Sequence, residues 1–456
     1  MGLFSWRRGP VPGLKTFSQQ TRRRGGSLSF RPSLELLEGR LVLSTFLVTN
    51  GNDSGPGSLR DAITRVNADT GNPNPDEVDF QFRENGGITL LRSELPAITH
   101  PIFINGSSFR SPFGKGGGQV DIGVDGLADG LRIDASHTTI QDLKFVDCSH
   151  AGIDVASGVS DVEFKTNVFE DNSVGIHISG GDSNIQFLNN KFLAFDTSAS
   201  SSGIDISTDC SNVTFFRNLI WSNQAACVTI ASGGSNLSFF ENKFQTTFEG
   251  GGASSLVNLS GGGSNIYFDR DTFAGVAVVG LDLSGGGSNI TLTGVHFNLW
   301  GGQTDFVLGG SATGTSATIS NCLFTSFRAA RLGGTMTGLL LDSMNNSSSV
   351  VVQDTRFGSG TPDVRDLRVG VSIRGDGTTA GTIDLGGGLL GSDGANNFLG
   401  FGTATANSYA IGLFNVSPSF TVFAENESIG IDPTTIIADG THDTAAGGSG
   451  VIAVSS

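Results

Sequence analysis

The stretch SNIQFLNNKF at residues 183–192 recurs along the chain and decides the fold. Close copies occupy residues 211–220, 235–244, 264–273 and 288–297, and each ends in an apolar residue. Looser copies occupy residues 136–145, 160–169, 315–324 and 348–357. A repeat of roughly 20–50 residues indicates a solenoid, a propeller or another repeat array.

Each copy follows a short alternation of apolar and other residues, as in Gly175-Ile176-His177-Ile178. Such period-2 alternation predicts a β-strand. A turn separates it from a second alternating run, which contains Ile185 and Phe187, and a third short strand contains Phe192. Three short strands per repeat without a helical period predict a coil of parallel strands. A propeller is the alternative, although its blades usually need four strands and about 40 or more residues.

Equivalent residues of successive turns should stack at the strand spacing of about 4.8 Å. The first inward column is predicted to be Val162, Ile185, Val213, Leu237, Ile266 and Ile290. The second is predicted to be Phe164, Phe187, Phe215, Phe239, Phe268 and Leu292. A third column, at a bend, is Asn167, Asn190, Asn218, Asn242 and Asp271. We expect left-handed backbone geometry at these bend residues and hydrogen bonds between their stacked amides.

This pattern resembles the right-handed parallel β-helix of pectate lyases and related surface proteins, over roughly residues 100–430. The resemblance implies an all-β, single-stranded solenoid, and it is specific for fold rather than function. An N-terminal cap and first turns are predicted at 45–120, with a short helix that starts at Ser58 and buries Leu59, Ile63 and Val66. The repeats are assigned to 121–380.

The C-terminal part of the chain changes character. Residues 381–436 are predicted to form the last turns and a C-terminal cap. Residues 437–456 are rich in Gly, Ala, Thr and Ser near their start and are predicted to be a flexible tail.

Residues 1–44 form a basic segment with 8 Lys/Arg and 2 Asp/Glu, and they lack the continuous apolar run of a standard secretory signal. Leu34-Glu35, Leu37-Glu38 and Arg40 resemble the planctomycete-type extracellular N-terminal motif. That resemblance implies an export or sorting leader and an extracellular or cell-surface location. A disordered basic tail is the alternative. No apolar run reaches 18 residues, so no membrane span is predicted.

The rest of the chain is acidic, with 19 Lys/Arg against 41 Asp/Glu and therefore a net charge of −22. This charge argues against nucleic acid as a partner, because nucleic-acid binding depends on basic surfaces. The four cysteines have no metal-binding spacing and are expected to be small buried residues. We predict no cofactor and no metal, and we expect a monomer.

The outward position of the first strand carries the most polar residues. In chain order it holds Arg132, Asp154, His177, Asp205, Thr229, Asn258 and Asp282. The first four predict a ladder of alternating charge, in which Asp154 and Asp205 lie two turns, or about 9.6 Å, apart. This separation is near the wide end for the carboxylates of an inverting glycosidase, and His177 between them could shift the pKa of either. The alternative is a solvated column in which alternating charge relieves repulsion.

Motifs of the known β-helix enzymes are mostly missing, including the G-H-G and R-I-K of polygalacturonase-like chains. The run TDFVLG at 304–309 resembles the D-F-I-F-G of pectin methylesterases, but the partner motif with its catalytic Gln is absent. Trp221 and Trp300 are candidates for stacking on sugar rings. Inserts at 196–202 and 246–255 follow the third strand and, in the resembling family, this side borders the carbohydrate cleft.

These observations predict an extracellular or cell-surface β-helix protein with a structural or adhesive role. Polysaccharide and cell-envelope components are the candidate partners. The candidate binding residues are Arg132, Asp154, His177, Asp205, Trp221 and Trp300. The alternative is a polysaccharide-degrading enzyme of the β-helix class, either a lyase or a glycoside hydrolase, in which Asp154, His177 and Asp205 would be catalytic.

Overall fold

The structure is a computed structural model. It describes residues 44–69, 71, 74–81, 88–108, 120–124, 129–193, 202–222, 225–246, 253–300, 303–325, 336–358, 369–375, 381–386, 390–399, 409–414, 421–424, 428–429 and 451–453. Nearly all of the predicted leader at 1–44 lies outside these residues. So do most of the predicted inserts at 196–202 and 246–255.

The described strands form three parallel sheets, here named A, B and C. Sheet A has 15 strands: Thr45–Val48, Asp76–Phe80, Ile102–Asn105, Thr138–Gln141, Ser160–Lys165, Asp182–Leu188, Cys210–Phe216, Gly234–Phe240, Gly263–Asp269, Gly287–Thr293, Ser316–Ser320, Ser349–Gln353, Thr382–Gly386, Thr421–Ala424 and Val451–Ala453. Sheet B has 13 strands: Ile88–Leu91, Val120–Val124, Leu143–Val146, Val168–Glu170, Lys191–Leu193, Leu219–Ser222, Lys243–Thr246, Thr272–Gly275, His296–Leu299, Leu323–Phe324, Arg356–Phe357, Asn397–Phe398 and Ser428–Ile429. Sheet C has 11 strands: Asp129–Ile133, Ala151–Val155, Val174–Ile178, Ser202–Ile206, Val228–Ile230, Ala253–Asn258, Ala277–Leu283, Thr304–Gly309, Thr337–Met344, Val369–Gly375 and Tyr409–Phe414.

Each complete turn of the coil visits sheet C, then sheet A, then sheet B. One turn, for example, contains Val174–Ile178, Asp182–Leu188 and Lys191–Leu193 in that order. Each of these strands pairs in parallel with its equivalent on the next turn. The fold is therefore the predicted all-β right-handed parallel β-helix, and the propeller alternative is excluded.

The interior is filled by columns of apolar side chains, as the sequence predicted. Ile185 lies opposite Val213 and Phe187 opposite Phe215 on the next turn of sheet A. The rings of Phe187 and Phe215 stack at 4.7 Å with an interplanar angle of 8°, and both side chains are fully buried. Phe239 continues the stack at 4.5 Å from Phe215. Because Phe has no hydroxyl group, these rings need no polar partner inside the coil.

The glycine that opens most sheet C strands makes room for a second phenylalanine column, on sheet B. At Gly175 an added Cβ would lie 2.6 Å from the carbonyl oxygen of Gly203 and would also collide with the ring of Phe192. Phe192 in turn stacks on Phe169 at 4.7 Å. The Gly in the G-I-x-I pattern and the Phe that closes the same turn are therefore one packing unit.

The predicted column at the bend between sheets A and B is a buried hydrogen-bond ladder. The Nδ2 group of Asn190 donates to the carbonyl oxygen of Phe164 at 2.8 Å and to Oδ1 of Asn218 at 3.1 Å. The backbone N–H of Asn190 also donates to Oδ1 of Asn218, at 2.9 Å. Asn167, Asn218 and Asn242 repeat this arrangement. The ladder satisfies polar groups that the bend buries.

The predicted position of the left-handed backbone is wrong by one residue. Positive φ angles occur just before the ladder residues, for instance at Asn189 (57°) and Arg217 (55°), and not at Asn190 or Asn218. The preceding residue makes the bend, while the ladder residue keeps ordinary geometry and turns its amide inward. A second set of left-handed residues lies near the start of the sheet A strands, for example Asn184 (56°) and Asn212 (55°).

The N-terminal cap contains the predicted helix, Leu59–Ala68, with Ser58 as its N-cap. The Ser58 hydroxyl accepts a hydrogen bond from the N–H of Asp61 at 3.2 Å. Leu59, Ala62, Ile63 and Val66 are buried on its inner face. A 3-10 helix, Gly106–Ser108, follows the sheet A strand Ile102–Asn105.

One C-terminal prediction needs correction. Val451–Ala453, within the predicted flexible tail, pairs in parallel with residues of Thr421–Ala424 in sheet A. The pairing gives the backbone groups of Thr421–Ala424 a partner strand, and the β-branched Val451 and Ile452 favour an extended strand.

Candidate functional site

The outward positions of sheet C form the predicted row. Arg132 pairs in register with Asp154, Asp154 with His177, and His177 with Asp205. Thr229, Asn258 and Asp282 continue the row on the following turns. The predicted order of the ladder is therefore confirmed.

Asp154 is the centre of this row and is less exposed than a solvated column would require. Its Oδ2 atom lies 3.1 Å from Nη1 of Arg132, and its Oδ1 atom lies 2.7 Å from Nδ1 of His177. Only 5% of Asp154 is exposed, against half of the Arg132 side chain. Both carboxylate oxygens are thus held by cationic or ring N–H partners, which favours an ordered site over a loose row of charges.

His177 lies between the two carboxylates in register, as predicted, and its Nδ1 atom contacts Asp154. Its second ring nitrogen, Nε2, lies 3.0 Å from the hydroxyl of Ser207. Asp205 is the neighbour of His177 in register, but the ring is held between Asp154 and Ser207. The imidazole is fixed in orientation by these two contacts.

The structure adds residues that the sequence did not single out. Nδ1 of His150 lies 2.7 Å from Oδ1 of Asp129, and the His150 ring lies edge-on to His177 with centroids 5.3 Å apart. Asp134 contacts Nε of Arg132 at 3.0 Å. His150 lies just before its strand, where alternation no longer predicts side-chain direction, so no sequence signal marked this pair.

Further along the row, two polar side chains bond to their own turns. Oδ1 of Asn258 accepts from the N–H of Ser260 at 3.0 Å, and Oδ1 of Asp282 accepts from the N–H of Ser284 at 2.9 Å. These contacts shape the strand ends. The part of the row that could contact a ligand through a cation and an imidazole is therefore its beginning, from Arg132 to Asp205.

A small pocket opens between sheets B and C on the same turns. It is lined by Phe169, Asn172, Gly175, Phe192, Leu193, Ser202, Gly203 and Trp221. Trp221 is half-buried and lies opposite Leu193 in register. Gly175 and Gly203 are two residues before His177 and Asp205 on their strands, or about 7 Å along the chain. The pocket and the row of polar side chains are thus neighbours.

The other predicted aromatic, Trp300, lies further along the coil. It follows the sheet B strand His296–Leu299, its backbone N–H donates to Gly275 at 2.7 Å, and it is 44% exposed. Trp221 pairs with Gln245, Gln245 with Ala274, and Ala274 with Asn298. Trp300 is therefore three turns from Trp221, about 14 Å by strand spacing.

The remaining candidate features do not form a site. Asp305, in the run that resembles the pectin methylesterase motif, lies in a sheet C strand but is fully buried and so does not face outward with the polar row. The four cysteines are free and buried, and burial raises the pKa of each thiol to about 12. A thiol with such a pKa is unreactive at neutral pH.

The described residues contain neither a metal-binding cluster nor a membrane-spanning helix. Among them, no group of three or more His, Cys, Asp or Glu side chains could hold a metal ion. The described part of the chain also contains no helix long and apolar enough to cross a membrane.

The fold defines a right-handed parallel β-helix protein, and a family model that matches part of the chain agrees. The family model for the right-handed β-helix region matches residues 81–192 and, in an overlapping match, residues 120–273. No curated protein matches the chain. Among solved structures, the chain is similar to the surface protein and adhesin PfbA of Streptococcus pneumoniae at 9% identity, covering 90% of this chain and 96% of that chain, with a TM-score of 0.29. A TM-score this low carries no argument about function.

Proposed function

We propose that this chain is an extracellular or cell-surface β-helix protein with a structural or adhesive role that binds carbohydrate without cleaving it. The binding site is formed by the outer face of sheet C from Arg132 to Asp205 and by the adjoining Trp221 pocket. Trp300 extends the same side of the coil. The observation that carries the proposal is the adjacency of an indole and a row of ordered polar side chains on the same turns.

This combination suits a sugar. An indole offers an apolar face on which the C–H groups of a sugar ring can pack, and neighbouring polar groups can bind its hydroxyls. Arg132 is half exposed and uses Nε and Nη1 for Asp134 and Asp154, so further guanidinium N–H groups are free to donate. Asp205 supplies a carboxylate acceptor on the same turn as Trp221.

The geometry does not favour the enzyme alternative. A glycosidase needs one carboxyl group that donates a proton and a second that acts as base or nucleophile. Asp154 is buried and bonded to Arg132 and His177, and His177 is bonded through both ring nitrogens. Neither group is available to a substrate without breaking these contacts. Asp205 alone cannot supply both roles.

The first test is a glycan array with the full chain, followed by affinity measurements on any glycan retained. We expect Trp221→Ala to weaken binding by at least about fivefold, since stacking on an aromatic ring is worth roughly 1 kcal/mol beyond buried area. Gln245→Ala is the matched control, because Gln245 is the register neighbour of Trp221 and does not line the pocket. An equal loss in both variants would contradict the proposed pocket.

The second test separates binding from catalysis. Each retained polysaccharide is incubated with the protein and assayed for new reducing ends and for unsaturated products. We expect neither product. Cleavage that is lost in both Asp154→Asn and Asp205→Asn, with thermal unfolding unchanged, would instead establish the enzyme alternative.

A further inference from the structure

The outer face of sheet A is almost free of charge over five consecutive turns, from Asp182–Leu188 to Gly287–Thr293. Its outward side chains there are Ser, Asn, Gln, Thr, Leu, Phe and Tyr, with Asp269 as the only charged one. The chain as a whole has a net charge of −16, so an uncharged face of this length is a departure from its general surface. It lies on a different sheet from the polar row described above.

An exposed amide ladder runs along this face. Asn212 donates through Nδ2 to Oδ1 of Asn184 at 3.1 Å, and Asn236 donates to Asn212 at 2.8 Å. Asn265 and Asn289 continue the series, each at 2.8 Å from the rung before. A primary amide has two N–H donors and two acceptor sites, so each rung retains donor and acceptor capacity toward solvent. The ladder therefore presents hydrogen-bonding groups of both kinds at the strand spacing, about 4.8 Å.

Three aromatic rings lie on the same face, in the middle of the uncharged turns. Phe216, Phe240 and Tyr267 are half-buried on successive strands, and the Phe240 and Tyr267 rings lie 5.4 Å apart. Outward Phe side chains are uncommon on a solvated sheet, since they leave apolar area in water. Phe216 and Phe240 are register neighbours, whereas Tyr267 lies opposite Ser238, in the column between these two rings and the amide ladder. The surface therefore combines aromatic rings with a line of hydrogen-bonding amides.

The cations at the edge of this surface are already paired. Arg217 contacts Glu241 at 2.6 Å, and Arg270 contacts Glu241 at 3.0 Å and Asp269 at 2.8 Å. The Arg217 guanidinium also lies over the Phe216 ring, at 4.8 Å from its centroid. An anionic ligand would therefore have to displace an existing carboxylate to gain a cation.

We propose that the outer face of sheet A binds a neutral polysaccharide along the axis of the coil. Sugar rings pack on Phe216, Phe240 and Tyr267, and their hydroxyls, which both donate and accept, bond to the amide ladder. The inference rests on the proposed carbohydrate-binding role but assigns a second surface and a ligand class. Neutrality of the ligand follows from the uncharged face and from the paired cations beside it.

The test uses the full chain with cellulose, starch and dextran as neutral probes and polygalacturonate as an acidic probe. Two single variants alter the face. Asn236→Asp is isosteric, tolerates the left-handed backbone and replaces an amide donor by a negative charge, while Tyr267→Ala removes a ring. Asn321→Asp is the matched control, because Asn321 is also exposed and left-handed but lies outside the ladder. Circular dichroism and thermal unfolding check that each variant is folded.

We expect the chain to be retained on at least one neutral probe and not on polygalacturonate, with at least a tenfold loss for Asn236→Asp and Tyr267→Ala and none for Asn321→Asp. Unchanged binding in the two face variants, with loss in Trp221→Ala, would overturn this inference and leave the sheet C site standing. The reverse pattern would overturn the sheet C site alone. No retention of the parent chain on any glycan would overturn both.

A second copy of the chain is the alternative binding partner for this face of sheet A. Sedimentation velocity of the parent and of both face variants distinguishes it. We expect the parent to sediment as the variants do. A dimer that dissociates in Asn236→Asp and Tyr267→Ala, without polysaccharide retention, would show that the face joins two chains and would overturn the inference.

Discussion

Replacing Asp271 by Asn should remove a pH-dependent loss of stability from the buried ladder. Asp271 occupies the rung after Asn242 and is fully buried. Its Oδ1 atom accepts from the backbone N–H of Asn242 at 2.7 Å and from Nδ2 of Asn242 at 2.9 Å. Its Oδ2 atom has no hydrogen-bond partner. On the preceding rungs the equivalent atom is the Nδ2 of an Asn, which donates a hydrogen bond to a backbone carbonyl, as Asn242 does to Phe215. A protonated carboxyl can donate there, whereas a carboxylate cannot.

Burial, with a smaller contribution from the nearby charge of Asp269, raises the pKa of Asp271 from its ordinary 3.8 to about 8. Below pH 4 the carboxyl is protonated in both the folded and the unfolded chain, so its contribution to stability is fully present. Between pH 4 and pH 8 the unfolded chain releases the proton and the folded chain keeps it, so the free energy of unfolding falls. At 1.36 kcal/mol for each unit of pKa shift, this loss is on the order of 4 kcal/mol at pH 7.

The measurement is guanidinium unfolding of the parent and of Asp271→Asn at pH 4, 5.5, 7 and 8.5, followed by circular dichroism. We expect the stability gap between the two to be small at pH 4 and to grow in favour of Asp271→Asn up to pH 8. Asn218→Asp is the matched control: it places a carboxyl on an equivalent buried rung and should add a second loss of the same sign. A gap that does not change with pH would refute the assignment of a neutral carboxyl.

Three further predictions concern packing and export. Phe215→Ala should lower the free energy of unfolding by about 3–5 kcal/mol, measured by chemical denaturation, since it opens a cavity between two stacked rings; a loss below about 1 kcal/mol would contradict the column. Gly175→Ala should cost roughly 1–3 kcal/mol through its clash with Phe192 and Gly203, and a neutral effect would show that the coil can expand there. Deletion of residues 1–44 should leave the β-helix folded but retained inside the cell, as fractionation would show; unchanged export would remove the proposed leader role.

Much of the fold could be predicted from the sequence because every turn of a solenoid repeats the same short-range sequence pattern. Alternation predicted the strands, and alignment of the recurring motif predicted that Phe187 stacks on Phe215 and Asn190 on Asn218. The order of Arg132, Asp154 and His177 followed from the same register. In a parallel coil the neighbours of a residue are its equivalents one repeat away, so periodicity alone specifies them.

The burial of individual polar side chains and their contacts outside the columns could be determined only from the tertiary structure. Register could not show that Asp154 is buried, that His177 contacts Ser207, or that His150 reaches Asp129, because these contacts depend on side-chain direction at strand ends. The register also could not distinguish the buried Asn residues of the ladder at the bend from the exposed Asn residues of the ladder on the outer face of sheet A. Both lie near bends in the chain, and only the path of the backbone determines which amide turns inward and which faces water.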